Sequence, residues 1–509
     1  MLSLQNLAGG FAGLDVLVLG DAILDTYLVG GSISLSREAP VPVVTVERRT
    51  NVPGGAANAA VNVAALGART HFLSVAGDDA DGTTLRAALV DAGVDCADLL
   101  LQPGRPTVAK RRLIANGQLL ARFDEGAVEP PASPVEDALL ERLEQRFPAC
   151  AAVIVSDYGY RTISARVIDR LTRLQRTSPR VLVVDARALD RYRGIGATAV
   201  KPNWDEACAL LGGSLASGAG RVDVLSAGAD ELLSRTGAHI VAVTLDRDGA
   251  VLFERRRPAY RTYTRPHAAA RTAGAGDTFT AGLALALAVD AELPAAAEIA
   301  SAAAAVVVAR DGTSSCSAAD LAQHLAGATL RLADTAALAQ RAAFLRRQGR
   351  RVVFTNGVFD LLHRGHIDFL NRAKSLGDVL IVGLNSDASV AALKGPDRPI
   401  NSLEDRAGVL AALSCVDHLA SFDGDTAAEL IELIRPDLYV KGGDYTPAML
   451  PEAALVERLG GAVQILPYLE DRSTSAIVER IRAVPWQRVD LVDRSAAIES
   501  PAYDDPLRR

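Results

Sequence analysis

Two segments of the 509-residue chain carry residue types at spacings that suit phosphate chemistry. The first is Gly274-Ala275-Gly276-Asp277, followed by an alanine-rich helical stretch. Small residues leave backbone N–H groups unobstructed, and at a helix N-terminus these aim partial positive charge at a phosphate. A carboxylate closing such a loop can take the proton of an attacking hydroxyl. The alternative is a glycine-rich turn in which Asp277 only caps the helix. The second segment is Thr355-Asn356-Gly357-Val358-Phe359-Asp360-Leu361-Leu362-His363-Arg364-Gly365-His366, between an apolar run and a helical pattern reaching about Leu376. Its histidines, at i and i+3, share one face of a first helical turn and can donate hydrogen bonds to phosphate oxygens. A zinc site would need a third ligand, and no nearby Cys or His motif supplies one. No P-loop signature of the GxxxxGKS/T type occurs.

Further candidates surround the first segment. Gly54 and Gly55 let the backbone approach a ligand, and Asn58 offers both donor and acceptor on a helix reaching about Leu66. Asp21 and Asp25 follow the first strand, where α/β sheets bind ligands. They suit sugar hydroxyls or else cap a helix. Asn203-Trp204-Asp205-Glu206 follows another apolar run; it can stand near Mg²⁺ or simply begin a solvated helix.

Scaffolds must position these residues. Residues 16–20, 153–156, 181–185 and 240–245 read as buried strands, with helical patterns such as 164–175 between them. This alternation predicts an α/β fold: a mainly parallel sheet with helices on both faces. Residues 41–47 alternate, and 107–114 and 118–124 flank Asn116-Gly117, a strong hairpin signal, so a small β-flap is expected. The stretch after residue 280 is apolar but interrupted by Asp290, Glu292, Pro294 and Glu298, which predicts a packed helix pair rather than a bilayer span. Ser317 and Asp320 form a capping-box-like start, and Asp334 can cap a helix over 335–348 that stops at Gly349. A second, smaller doubly wound series begins at 352–355 and continues through 379–385, 437–441 and 463–466. The expected organisation is a first domain over 1–315, a helical linker over 316–350, a second domain over 351–484 and a mobile tail over 485–509.

Composition bounds the partners. The chain is 49% hydrophobic, which excludes wholesale disorder, and 54 basic against 61 acidic residues give a formal charge of −7. That balance, without a basic aromatic-rich segment, argues against nucleic acid as a partner. The five cysteines, Cys96, Cys150, Cys208, Cys316 and Cys415, are far apart and make neither a disulfide framework nor a CxxC knuckle. The N-terminus lacks a signal-peptide n-region, so a cytoplasmic, membrane-free protein with reduced thiols is expected.

Gly54 to Asn58, Gly77-Asp78-Asp79, Asn203 to Glu206 and Gly274 to Asp277 stand in the order of the ribokinase-like (PfkB) sugar kinases, which residues 10–315 resemble. The resemblance implies that Asp277 is the catalytic base and that Gly274, Ala275 and Gly276 form an anion hole. It implies that Asn203 and Glu206 support Mg²⁺ and the nucleotide phosphates of ATP. Where that family reads Asp-x-Thr before the loop, this chain has Arg271-Thr272-Ala273. The Arg271 guanidinium is therefore expected to replace the K⁺ ion of many relatives. Flap strands in this family often pair between subunits, which implies a homodimer.

The Thr355 to His366 segment is similar to the HxGH signature of the cytidylyltransferase-like nucleotidyltransferases. Asn385-Ser386-Asp387, Lys394-Gly395, Arg398, Arg406, Lys441-Gly442-Gly443-Asp444-Tyr445 and Arg472-Ser473-Thr474-Ser475 follow in that family's order. The resemblance implies direct attack of a substrate phosphate on the α-phosphate of a nucleotide, with His363, His366 and Lys441 stabilising charge. Thr355, Asn356, Gly357, Phe359, Asp360, Gly365, Lys394, Arg398, Arg406, Ser473, Thr474 and Ser475 would bind the nucleotide.

Taken together, with Arg37-Glu38-Ala39-Pro40, Ser156-Asp157-Tyr158 and Arg191-Tyr192-Arg193-Gly194, the chain resembles a bacterial family that fuses the two activities on heptose phosphates. This implies phosphorylation of heptose 7-phosphate at the anomeric hydroxyl, and transfer of AMP from ATP to heptose 1-phosphate. A separate phosphatase must act between the two steps. Arg112 and Arg122 become candidates for gripping the 7-phosphate, with Arg37 and Glu38 near the sugar. The alternatives are a nucleotidyltransferase with a degenerate, structural kinase domain, or both activities on another sugar phosphate.

Overall fold

The computed structural model describes residues 4–36, 41–213, 220–263, 274–310, 314–327, 335–443 and 449–467. Arg37, Glu38, Arg271, Thr272, Ala273, Asp334, Asp444, Tyr445, Arg472, Ser473, Thr474, Ser475 and the 485–509 tail lie outside them. The described residues fall in one compact unit.

A nine-stranded sheet forms the larger part, ordered Tyr260–Thr262, Ala250–Glu254, Ile240–Thr244, Ala199–Val200, Val181–Ala186, Ala152–Asp157, Asp15–Gly20, Arg69–Gly77, Leu99–Gln102. Neighbours run parallel except at one edge, where Ala250–Glu254 pairs antiparallel with both Tyr260–Thr262 and Ile240–Thr244. The central strands read as unbroken apolar runs because both faces are covered: Val16 to Leu19 and Val153 to Val155 are fully buried. Asp21, Asp157, Asp185 and Lys201 therefore collect at the carboxyl ends of parallel strands, where such sheets bind ligands.

The flap is a four-stranded sheet, ordered Pro42–Gly55, Ala22–Leu35, Val108–Ala115, Gln118–Glu125. Asn116 and Gly117 both take positive φ, 51° and 79°, which matches the twist of the hairpin they close. The flap is larger than its hairpin signal suggested, because long strands run on from Ala22 and into Gly55.

The helix pair is present as Ala275–Ala288 and Leu293–Val308. Small side chains let the two approach closely: a Cβ on Gly282 would lie 3.0 Å from the Ala300 Cα. The helices Ala318–Gly327 and Thr335–Arg347 follow, the first capped by Ser317, whose Oγ accepts from the Asp320 N–H at 3.0 Å.

A second, five-stranded sheet is parallel throughout, ordered His418–Phe422, Val379–Asn385, Val352–Gly357, Leu438–Gly442, Ala462–Leu466. Its edge strand His418–Phe422 was not legible, because His418 and Ser421 break the apolar run. Buried Glu298 ties the two sheets together. It accepts from the Tyr260 hydroxyl at 2.7 Å and from the Ser414 N–H and Oγ at 3.1 and 3.0 Å.

The tight helix pair yields one expectation. Gly282→Leu forces side-chain atoms into the backbone of Leu293–Val308 and should destabilise the chain by about 1–3 kcal/mol, read as a lower urea midpoint.

Candidate active sites

Asp277 lies in the first turn of Ala275–Ala288 and is buried. Gly274 precedes the helix with φ 88°, a left-handed conformation that favours glycine. Two donors hold the carboxylate: Asn58 Nδ2 at 2.6 Å and the Tyr158 hydroxyl at 2.8 Å. Burial, and then the negative charge of Asp185, push the Asp277 pKa up to about 6, against the lowering effect of Asn58 and Tyr158. Burial keeps the Tyr158 phenol far above its ordinary range, so it stays a donor. A carboxyl poised near neutrality suits a general base.

A cavity of about 250 Å³ opens onto Asp277, Gly274 and Gly276, and is also lined by Tyr158, Asp185, Arg187, Lys201, Asn203 and Glu206. Lys201 is buried with Nζ 3.1 Å from Asp185, and a Cβ on Gly276 would lie 3.4 Å from that ammonium. The loop thus has a fixed positive charge beside its amides. Sequence reasoning assigned no role to Lys201, Asp185, Arg187 or Tyr158; the available signal was their place just after apolar strands. Asn203 and Glu206 form a reciprocal capping box: Asn203 Oδ1 accepts from the Glu206 N–H at 2.9 Å and Glu206 Oε2 from the Asn203 N–H at 2.8 Å. They cap a helix and line the cavity at once.

Among the described residues no group of three or more His, Cys, Asp or Glu could hold a metal alone. Mg²⁺ commonly takes one or two carboxylates plus substrate phosphates. Glu206 and Asp185, on the cavity wall, fit that donor set.

The sugar-side candidates divide. Asp25 pairs with Arg112 at 2.5 Å, and the Arg112 guanidinium stands over the Tyr27 ring, 5.2 Å from its centroid. A Cβ on Gly54 would fall 2.3 Å from Asp25 Oδ2, so only glycine fits there. Gly55 leads from the flap strand into the helix Ala56–Ala65. One candidate is corrected. Asp21 is not a sugar ligand: it is 1% exposed and accepts from the backbone N–H groups of Tyr158, Tyr160 and Thr162 at 2.8, 3.0 and 3.2 Å. Asn58 donates one amide N–H to Asp277 at 2.6 Å, and its Oδ1 accepts from Asn62 at 3.3 Å. Arg122 is exposed and paired with Asp124 at 3.1 Å.

The second site gathers at the carboxyl end of Val352–Gly357. His363 immediately precedes the helix Arg364–Ser375, whose first turn carries Gly365 and His366. The two imidazoles stack with centroids 3.8 Å apart, and Phe359 sets its edge against His366 at 5.3 Å. Phe359 adopts φ 48°, and a Cβ on Gly357 would lie 3.0 Å from its ring. Burial, then the nearby charges of His363 and Lys394, lower the His366 pKa to about 3. His366 is therefore neutral at physiological pH and carries a single ring N–H. Lys441 donates to the Asn356 carbonyl at 3.2 Å, and Asn356 Oδ1 accepts from the Tyr439 hydroxyl at 2.7 Å. Lys394 is exposed at the end of Asp387–Lys394.

Two nucleotide candidates prove architectural. Arg406 has no side-chain exposure and donates to the carbonyls of Val358, Asn385 and Asn401 and to Asp387. Asp360 is 3% exposed; it pairs with Arg398 and accepts from the Ile400 and Asn401 N–H groups at 2.8 and 3.1 Å. Thr355 is wholly buried within its strand. The side chains of Arg406 and Asp360 are spent on these contacts and shape the loops.

Two pH expectations follow. The kinase-type site should lose kcat/KM below about pH 6 as Asp277 gains a proton. Asn58→Leu removes a pKa-lowering hydrogen bond, so its acid limb should move to higher pH. His366 has its pKa held below the ordinary 6.5, so the unfolded chain binds more protons. Its contribution to stability is intact above about pH 6.5 and lost as pH falls toward about 3; His366→Asn should flatten that part of the thermal-unfolding profile.

Comparison with known proteins identifies the family of each half. Residues 14–320 match the pfkB family carbohydrate kinase model, and residues 354–480 the cytidylyltransferase-like model. The bifunctional protein HldE of Trichlorobacter lovleyi is 38% identical over 475 residues, covering 92% of this chain and 95% of that one. The bifunctional protein HldE of Caulobacter vibrioides is 38% identical over 487 residues, covering 94% of this chain and 99% of that one. Among solved structures, phosphofructokinase-2 from Escherichia coli in complex with substrates and products has a TM-score of 0.51 at 22% identity, covering 61% of this chain and 97% of that one. That likeness shows the ribokinase-like fold. With both domain families and nearly full-length relatives matched, the chain belongs to the bifunctional HldE family, a carbohydrate kinase of the pfkB family fused to a cytidylyltransferase-like nucleotidyltransferase.

Proposed function

We infer that the chain carries out two ATP-dependent steps of heptose activation: phosphorylation of D-glycero-D-manno-heptose 7-phosphate at C1, and transfer of AMP from ATP to heptose 1-phosphate. The observation that carries the first is the buried Asp277, held by Asn58 and Tyr158 beside a glycine loop and the Lys201 ammonium. Asp277 takes the proton of the anomeric hydroxyl, whose oxygen attacks the γ-phosphorus of ATP. The amides of Gly274, Ala275 and Gly276, with Lys201, face the charge that develops on the transferred group. When bound, Mg²⁺ would neutralise nucleotide phosphates at Glu206 and Asp185. The intact hydrogen bonds of Asp277 favour a working kinase over a domain kept only for structure.

In the second site a phosphate oxygen of heptose 1-phosphate attacks the α-phosphorus of ATP, and pyrophosphate leaves. Neutral His366 and its stacked neighbour His363 donate toward the α-phosphate, while Lys441 and Lys394 act as point charges. Arg398, with Asn356, Gly357, Phe359 and Gly365, lines the loops that receive the nucleotide, and Ser473, Thr474 and Ser475 keep the phosphate-binding role proposed for them.

The product of the first step is a bisphosphate and the substrate of the second a monophosphate. A separate phosphatase must act between them. The flap exposes Val41, Val43, Val46, Leu119, Leu120 and Phe123, which supports a homodimer formed through it. Among the described residues no helix is long and apolar enough to cross a membrane; we place the protein in the cytoplasm, where ATP is supplied. We retain the domain limits 1–315 and 351–484, and the replacement of K⁺ by Arg271.

A split assay tests the reading. With heptose 7-phosphate and Mg-ATP, supplied with and without a phosphatase, wild-type chain should give the 1,7-bisphosphate and then ADP-heptose, without dependence on added K⁺. Asp277→Asn should abolish only bisphosphate formation, and His366→Ala only adenylyl transfer from supplied heptose 1-phosphate. Loss of both activities from either change in a folded chain would refute two independent sites.

A further inference from the structure

Lys110 is a cation beside Tyr158 that forms no ion pair among the described residues. It stands on the flap strand Val108–Ala115, in register with Asp25 on one side and Asp124 on the other. Both carboxylates are already engaged, Asp25 with Arg112 at 2.5 Å and Asp124 with Arg122 at 3.1 Å. The half-buried Lys110 ammonium rests on aromatic faces instead, 5.2 Å from the Tyr158 centroid and 5.5 Å from that of Tyr160. Such faces hold a partly desolvated cation in place without neutralising it. Burial keeps its pKa below the usual lysine range, so an arriving anion would relieve a cost already present.

Tyr158 fixes where that anion must come from. Its hydroxyl donates to Asp277, while its ring lies under Lys110. One tyrosine therefore separates the base from the free ammonium. A sugar whose reacting hydroxyl met Asp277 and whose body followed this ring would bring its far end to Lys110. We propose that Lys110 binds the phosphate at the non-reacting end of the acceptor and so makes the kinase selective for phosphorylated over unphosphorylated sugar. Arg112 instead keeps Asp25 in place, and Arg122 stays with Asp124. A compact ammonium suits this task, because a phosphate needs a point charge rather than a planar fork. The proposal rests on the sugar-phosphate kinase reading and names the residue that recognises the phosphate.

The test compares heptose 7-phosphate with unphosphorylated heptose, using full-length wild type, Lys110→Met and Lys110→Arg. Adenylyl transfer by the second site serves as the folding control and should be unchanged. Lys110→Met should raise KM for heptose 7-phosphate about 10–100-fold, the scale of one lost charge-assisted hydrogen bond. It should leave KM for heptose nearly unchanged, so the preference between the two sugars collapses; Lys110→Arg should restore part of it. A merely structural role would impair both sugars alike. If wild type prefers the phosphorylated sugar and Lys110→Met keeps that preference, the role of Lys110 is overturned while the kinase reading stands. If wild type phosphorylates no phosphorylated sugar, both are overturned.

Discussion

A carboxyl group buried at the start of Ala275–Ala288 is the constraint around which the first domain is arranged. Removing Asp277 from water favours its proton, and Asp185 adds like charge, so it needs donors that hold it without neutralising it. Each donor is positioned by a different element. Asn58 comes from Ala56–Ala65, whose Asn62 donates to the Asn58 carbonyl at 2.9 Å and accepts from Thr278 at 2.8 Å. Tyr158 follows Ala152–Asp157 and is fixed by Asp21, which gathers the backbone amides of that turn. Asp21 is thus a positioning residue: it acts on the reacting group through Tyr158.

The second site uses buried charge in the same way. Arg406 joins three loops by their carbonyls, and Asp360 closes the turn after Arg398. Those groups are spent on shape, which leaves the stacked histidines, Lys394 and Lys441 to meet phosphates. This resolves the tension between a net charge of −7 and anionic substrates. Acidity overall is compatible with phosphate binding because the local placement of a few cations, not the sum of charges, sets the field at each site.

Element types and the two phosphate loops were legible because they rest on local signals. Strand runs show burial on both faces, Asn116-Gly117 requires positive φ, and Gly274 to Asp277 must begin a helix. Roles set by long-range contact were not. Asp21 and Asp25 are indistinguishable by position after a strand, yet one meets three backbone amides and the other an arginine 87 residues away. Arg406 looked like a phosphate ligand because its burial depends on loops distant in sequence. Lys201 and Lys110 carried no motif of their own; what marks them is a glycine that leaves room for one ammonium and two tyrosine faces under the other.

The protonation of Asp277 can be observed directly. Carbon-13 labelling of aspartate carboxyls, with the Asp277 signal assigned by its loss in Asp277→Asn, gives its titration midpoint by NMR. A midpoint near 6 in wild type, moving lower in Asp185→Asn, is the expected result. A midpoint at the ordinary carboxylate value of about 3.8, unmoved by Asp185→Asn, would contradict a buried base held near neutrality.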